Sequence, residues 1–366
     1  MLRLLIYGAT GFTGQLIAQH ARDSGVETIV AGRNRAALES LSQRLQLPCR
    51  VAEVHDSSQL DAALRDVTVA INVAGPFSET ARPLMEACLR TGTHYLDVGG
   101  ELPVFQLLQG YDKQARACGS MIMPGVGFVV VATDCMAAYV AARMPQARWL
   151  RLALSRTDLV SRGSYATMLR LLRETVSVRR DGRLCAVGVG EFERVFDFGD
   201  GERIATAVSW ADVFSAHYTT GIANIEVYVE ADVRARWLYQ LGAWLAEPLQ
   251  MAPVQKVLSL QARAWPQGPS ERQRAAAPRV IVAEVEDRYR RCVRARLYTP
   301  DGYSFTPLSA VAIAQRVLAG EWQAGFQTPA AVYGADLPLT FSGVRREDLG
   351  TPQHLTSDSP DRQTFA

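Results

Sequence analysis

Lysine is almost missing from this chain: only Lys113 and Lys256 occur, and arginine carries the remaining positive charge. So few amines argue against Schiff-base catalysis. A formal charge of +2 over 366 residues excludes a polycation built for nucleic acid. The six cysteines (Cys49, Cys88, Cys118, Cys135, Cys185, Cys292) form no C-x-x-C pair and have no histidines at metal spacing, so no zinc centre is expected. The N-terminus enters an apolar strand directly, without a basic region, signal core and cleavage site. With scattered thiols, this makes reduced, buried cysteines in a cytoplasmic protein the expectation. The apolar run from Met121 to Ala142 is interrupted by Pro124, Gly125, Gly127 and Asp134, and reads as a buried strand, turn and helix rather than a membrane span. No Tyr-x-x-x-Lys pair is evident, which counts against a short-chain dehydrogenase mechanism.

What is present is an ordinary globular composition, 48% hydrophobic and 21% charged, with length enough for two domains. The first third carries a strand–helix rhythm. Leu2–Tyr7, Thr28–Ala31, Arg50–Val54, Val67–Asn72, Tyr95–Val98 and Ser120–Met123 read as strands. Helical spacing begins at Phe12 and recurs at Ala36–Leu45, Ser58–Leu64, Thr80–Arg90 and Phe105–Ala117. Strands alternating with helices over short connections predict a parallel, doubly wound α/β sheet, a Rossmann domain over residues 1–124.

Between the first strand and first helix stands Gly8-Ala9-Thr10-Gly11-Phe12-Thr13-Gly14. Glycines at three-residue spacing ahead of a helix let the backbone approach a pyrophosphate, with the positive end of the helix facing that anion. Gly8, Thr10, Gly11, Phe12, Thr13 and Gly14 are therefore the expected cofactor loop. The second strand ends at Arg33-Asn34, where an NAD-binding domain usually has an acid for the ribose 2′-hydroxyl. A guanidinium there suits a 2′-phosphate, so NADP(H) is the expected cofactor, held by Arg33 and Asn34. Asp56 would border the adenine, or serve as a helix N-cap ahead of Ser57 and Ser58. Ala74-Gly75-Pro76-Phe77 would run beside the ribose and nicotinamide, with Asn72 either a ligand or a turn residue.

These segments resemble the saccharopine dehydrogenase-like family of NADP-binding oxidoreductases. The likeness rests on Gly8–Gly14, Ala31-Gly32-Arg33-Asn34, Ala74–Phe77, Thr93–Asp97 and Gly100-Glu101. It continues through Pro124–Phe128, Ser161-Arg162-Gly163, Arg179–Arg183, Trp210–Val213, Thr220–Ile222, Gly268–Glu271, Pro300–Tyr303 and Gly325–Pro329. It is nearest the branch that includes trans-acting enoyl reductases. The chain departs from the family pattern after Gly127-Phe128, where an acid is common and Val129 stands instead; that acid's role would be lost or moved to Asp134. Where the family often has Thr after Ser-Arg-Gly, Ser164-Tyr165 follows.

Beyond Gly125 the rhythm breaks. Trp149–Ser155, Glu191–Phe198, Arg203–Val208, Asn224–Glu230, Val280–Glu286 and Val293–Tyr298 read as strands and Ser164–Val176 as a helix. This predicts an α+β substrate and dimerisation domain with a mainly antiparallel sheet over 125–304. The resemblance implies a helix, Thr306–Leu318, and a strand returning to the first domain over 305–344, with a polar tail at 345–366. The apolar stretch 234–264 suits a homodimer or domain contact, a lid over a lipophilic substrate, or a membrane-surface contact; few cations on its polar faces disfavour the last.

For catalysis, Tyr218 is the first candidate proton donor, with Asp97 and Glu101 as polar wall, and His94, Tyr95 and His217 within the same search. Each has a plain alternative: a fixed loop for Tyr95 and Asp97, a buried ring for Tyr218. The leading functional expectation is an NADPH-dependent reductase transferring hydride to a C=C or C=O bond of a bulky apolar small molecule. A saccharopine-type dehydrogenase acting on a C–N bond is the alternative, and convergence of Arg151, Arg156, Arg162, Arg170 and Arg173 on the crevice would favour it. A non-catalytic NADP-binding sensor or scaffold is the third.

Overall fold

The structure is a computed structural model that describes residues 2–156, 159–165, 176–188, 190–231 and 265–350. The segment 234–264, with Arg170 and Arg173, lies outside the described residues.

Leu4 to Tyr7 are four consecutive apolar residues, all buried. Such a run forms a strand covered on both faces. Alternate side chains feed two cores: Leu4 and Ile6 one, Leu5 and Tyr7 the other. From this start the chain runs β1 (Leu4–Tyr7), α1 (Phe12–Asp23), β2 (Thr28–Gly32), α2 (Arg35–Leu45), β3 (Cys49–Val51), α3 (Ser57–Ala63), β4 (Val69–Asn72), α4 (Phe77–Thr91), β5 (His94–Asp97), α5 (Leu102–Gln109), α6 (Asp112–Ala117) and β6 (Met121–Met123). The strands pair in parallel in the order β3-β2-β1-β4-β5-β6, a doubly wound Rossmann sheet. Phe105–Ala117 is two helices rather than one. The chain turns at Gly110 and Tyr111, and Asp112 then accepts a hydrogen bond from the Phe326 N–H at 2.8 Å.

There follow α7 (Phe128–Arg143), β7 (Trp149–Leu154), β8 (Val176–Arg180), β9 (Arg183–Val187), β10 (Glu193–Asp197), β11 (Glu202–Ala207), α8 (Asp212–Thr220), β12 (Asn224–Glu230), α9 (Glu271–Ala275), β13 (Arg279–Glu286), β14 (Cys292–Thr299), α10 (Gly302–Leu318), β15 (Gly325–Phe326), α11 (Pro329–Tyr333) and β16 (Arg345–Leu349). Among the described residues, nine strands form a second, mixed sheet in which only β7 and β12 pair in parallel. The β8–β9 hairpin was not expected as strand, although Asp181-Gly182 is a strong two-residue turn signal; both residues adopt positive φ. Val176, expected at a helix end, opens β8.

α7 is apolar around most of its circumference and is buried accordingly. It lies between the sheets, and one hydrophobic cluster runs through it from Leu4 and Val69 to Leu152 and Ile281. β15 adds a seventh parallel strand beside β6. Arg345–Leu349, expected as the start of a polar tail, instead pairs antiparallel with β14; its backbone completes a sheet edge whatever its side chains. Cys118 and Cys185 are exposed, contrary to the expectation that all six thiols are buried: they sit beside a helix end and on a sheet edge. Among the described residues no helix is long and apolar enough to cross a membrane, and no group of three His, Cys, Asp or Glu could hold a metal ion.

Candidate functional site: a crevice at the carboxyl ends of the parallel strands

β1 pairs with both β2 and β4, so helices leave the sheet in opposite directions from this point and a crevice opens above it. The three glycines there do three different things. Gly8 leaves β1 at φ +89°, and a Cβ on it would lie 2.7 Å from the Ala74 nitrogen. The loops after β1 and β4 thus touch backbone to backbone. A Cβ on Gly14 would lie 2.4 Å from the Gly8 oxygen and 2.8 Å from the Ala9 Cα, so this glycine lets α1 pack on β1. Gly11 is different: a Cβ there would meet only the Gly8 oxygen at 3.4 Å, leaving space above it. α1 has no side-chain cap and no acid in its first turn. Among the described residues, the N–H groups of Phe12, Thr13 and Gly14 hold no hydrogen bond. That is an open, positive helix terminus over a clear space.

Arg33 follows β2 at the same end of the sheet, exposed and without an ion pair or hydrogen bond among the described residues. Asn34 caps α2, accepting from the Ala37 N–H at 3.1 Å. Asp56 caps α3: its carboxylate accepts from the Gln59 N–H at 3.0 Å and the Ser58 hydroxyl at 2.6 Å, which holds its pKa below the usual carboxylate range. Both side chains are thus committed to helix starts, and only Arg33 is unengaged.

The floor is a saturated network. Asn72 donates to the Thr80 and Tyr95 hydroxyls and accepts from the Ala74 N–H, so it builds the turn. Asp97 is fully buried; it accepts from the Gly99 and Gly125 N–H groups and the Tyr95 hydroxyl, all within 3.0 Å. Burial raises its pKa to about 6 against those bonds. It ties the loops after β5 and β6 together, with both oxygens engaged. Glu101 accepts from the N–H groups of Phe77 and Ser78, at 3.3 and 3.2 Å, and so neutralises the terminus of α4. Ala74, Gly75, Pro76 and Phe77 line the mouth between these groups, with Phe77 packed 3.1 Å from where a Cβ on Gly99 would stand.

Tyr218 is not brought to this crevice. α8 starts at Ala211, whose N–H bonds the Gly100 oxygen, and runs away from it. Near its far end the Tyr218 hydroxyl donates to the Phe326 carbonyl on the outer edge strand, and His217 contacts the Ile222 carbonyl. Tyr218 is partly exposed and lies beside Asp112 and Arg116. His94 opens β5 rather than following it, so it sits at the amino end of the sheet. There its Nδ1 accepts from the Met121 N–H, and burial lowers its pKa to about 4. Asp134 does not replace the missing acid either: it is buried on α7, bonded to Thr219 and the Ala330 N–H.

The sequence reading did not single out the roof. Phe12 packs edge-on against Tyr303, ring centroids 5.3 Å apart, and a Cβ on Gly268 would strike the Phe12 ring at 2.5 Å. The Tyr303 hydroxyl accepts from the Ser161 N–H at 2.7 Å and lies 3.0 Å from the Ser164 hydroxyl. Tyr165 stacks on Trp265 at 4.2 Å, and Arg162 donates to the Trp265 carbonyl. The signal was present in Ser161-Arg162-Gly163, Gly268-Pro269 and Pro300–Tyr303, but only the fold draws these distant segments onto Phe12.

The saccharopine dehydrogenase NADP binding domain matches residues 4–123. The first domain therefore binds NADP(H), and its geometry fits that cofactor: an open α1 terminus, a space that a Cβ on Gly11 would enter, and an exposed guanidinium at Arg33. A trans-acting enoyl reductase of Mycobacterium leprae is 34% identical over 139 residues, 36% of this chain and 33% of that protein. A Mycobacterium tuberculosis protein described in the same terms is 33% identical over 199 residues, 49% of this chain and 46% of that one. The chain thus spans less than half the length of these relatives. Saccharopine dehydrogenase (L-Glu forming) from Saccharomyces cerevisiae shares the fold across 95% of this chain and 100% of its own, with a TM-score of 0.62 at 12% identity.

Proposed function

We propose that this protein is an NADPH-dependent oxidoreductase, a reductase acting on a C=C or C=O bond of a bulky, largely apolar intermediate. The observation that carries the proposal is an NADP-binding crevice whose loop residue Phe12 is covered by Tyr303 of the second domain, with the Tyr165–Trp265 stack adjoining through Ser164. The enoyl reductase relatives support the choice of bond, and the aromatic roof supports an apolar substrate.

In this reading the first N–H groups of α1 hold the diphosphate, Arg33 the 2′-phosphate, and Ala74–Phe77 the nicotinamide ribose. Asn34 and Asp56 border the adenosine through the helices they cap, while Asp97 and Glu101 hold the crevice walls. When bound, NADPH supplies two electrons and one hydrogen to an electrophilic carbon. The chain must orient the acceptor, exclude water and provide a proton.

The C–N dehydrogenase reading has less support. Arg151 is buried in an ion-pair network with Glu226, Glu284 and Glu286 on the second sheet, away from the crevice, and Arg162 is tied to the roof.

Calorimetric titration with NADPH and NADH tests the proposal. NADPH is expected to bind about tenfold more tightly or better, a difference of about 1.4 kcal/mol. Arg33→Asp is expected to remove that preference by weakening NADPH while sparing NADH. Equal losses for the two would show that Arg33 does not read the phosphate, and binding of neither would sink the oxidoreductase reading.

A further inference from the structure

We propose that Tyr303 is the proton donor of this reaction, resupplied through the Ser164 hydroxyl. The inference rests on the reductase reading above.

Position comes first. The strand order puts Arg33, at the end of β2, on one side of β1. With the 2′-phosphate there, the adenosine half lies over β2 and β3, and the reacting half must lie over β4 to β6. Tyr303 is on that second side. It stands in the first turn of α10, where Asp301 accepts from its N–H at 2.9 Å. A Cβ on neighbouring Gly302 would lie 3.1 Å from the Phe128 ring, just beyond the carboxyl end of β6. The Phe12 contact brings the same ring against the start of α1. Tyr303 therefore bridges the cofactor loop and the roof.

Chemistry comes second. The Ser161 N–H donates to the phenolic oxygen, and the Ser164 hydroxyl is close enough to donate as well. With both donors directed at that oxygen, the phenolic hydrogen is free to point into the crevice. Two donors also stabilise the tyrosinate left after proton transfer. Ser164 is exposed and 3.1 Å from the Ser161 hydroxyl, so a proton taken from Ser164 is replaced from water. The other candidate donors are spent elsewhere: Tyr95 on Asp97, Tyr218 on Phe326, His94 on Met121.

For an enoyl thioester the step balances. The β-carbon receives the hydrogen and electron pair that NADPH supplies, and NADP+ remains. The π pair of the C=C bond takes the Tyr303 phenolic proton at the α-carbon, giving the saturated thioester and tyrosinate. The Ser164 hydroxyl returns a proton to the tyrosinate and recovers one from water.

The test uses the full chain, NADPH and the cinnamoyl thioester of N-acetylcysteamine. Tyr303→Phe keeps the ring against Phe12 and removes only the hydroxyl. NADPH consumption is expected to fall about 100-fold or more, with NADPH affinity by calorimetry and the melting temperature unchanged. Ser164→Ala should lower kcat with KM unchanged and enlarge the solvent isotope effect. Tyr218→Phe should match the unsubstituted protein.

Unchanged consumption by Tyr303→Phe would overturn the donor assignment and leave the reductase reading standing. If Tyr303→Phe does not fold or loses NADPH, Ser164→Ala decides: an unaltered kcat and isotope effect overturn the relay. An unsubstituted protein that binds NADPH yet never reduces the thioester overturns the enoyl reading and this proposal together.

Discussion

Gly11→Ala and Gly14→Ala are expected to fail in opposite ways. At Gly14 the new methyl group must enter space held by the Gly8 oxygen, 2.4 Å away, and the Ala9 Cα, 2.8 Å away. Both are backbone atoms, and the Gly8 oxygen is already accepting from the Gly11 N–H at 3.0 Å. Nothing flexible can yield, so the helix must lift from β1. Overpacking of this kind costs about 3 kcal/mol, and the melting temperature should fall by several degrees with NADPH binding lost as well. At Gly11 the methyl group meets only the Gly8 oxygen at 3.4 Å, and the residue's φ of −71° suits alanine. The free protein should therefore melt where the parent does. The methyl group would nonetheless stand where the diphosphate approaches the backbone, and NADPH affinity should drop by about 100-fold, close to 3 kcal/mol. Calorimetry beside a melting curve separates the two. An Ala at Gly11 that binds NADPH normally would mean the cofactor does not pass over this loop.

The protein is also expected to lose stability as pH rises from 5 to 8, and Asp212→Asn to flatten that slope. Asp212 is completely buried at the start of α8, and burial raises its pKa to about 7, with neighbouring Asp134 adding repulsion. The Thr133 hydroxyl lies within hydrogen-bond reach of both the Val129 carbonyl and Asp212. One hydroxyl hydrogen cannot serve both. A protonated Asp212 donating to Thr133 frees the threonine hydrogen for Val129 and resolves the conflict.

A carboxyl whose folded pKa exceeds its unfolded value contributes stability that is complete below about pH 4 and is lost as pH rises through about 7. At about 1.4 kcal/mol per pKa unit, the loss approaches roughly 4 kcal/mol for a group moved from near 4 to near 7. Asp97 and Asp134, both raised to about 6 by burial, act in the same direction. The amide of Asp212→Asn fills the same space and cannot ionise, so the variant's advantage should be largest at pH 8 and distinctly smaller at pH 5. Parallel melting curves for the two proteins across that range would show that Asp212 stays charged in the folded state.

These expectations mark how far the residues could be read before folding. The parallel sheet was legible because a strand covered on both faces is built from apolar residues, and Leu4–Tyr7 and Val69–Ile71 are short, bounded runs of that kind. The turn at Gly8–Gly14 was legible because its requirements are local: a turn, a close approach and a helix start fit within those residues. Helix starts were legible for the same reason, and the cap alternative raised for Asp56 is what its hydrogen bonds describe.

The catalytic side was not legible. His94 and Tyr218 carry suitable chemistry, but His94 opens β5 at the amino end of the sheet and Tyr218 lies near the far end of α8, bonded to the Phe326 carbonyl. Asp97 lies at the correct end, yet Tyr95 on its own strand and two loop amides, Gly99 and Gly125, consume it, and the Gly125 bond arises only when the loops after β5 and β6 meet. Tyr303, Ser161 and Ser164 stand some 140 residues apart along the chain, with 142 between Ser161 and Tyr303. The sequence by itself determined the NADP(H)-binding half of this protein, because backbone turns and helix termini are short-range devices. Only the tertiary structure decided which hydroxyl stands against the cofactor loop, because packing α10 against α1 and α7 is what carries Tyr303 over Phe12 and beneath Ser161.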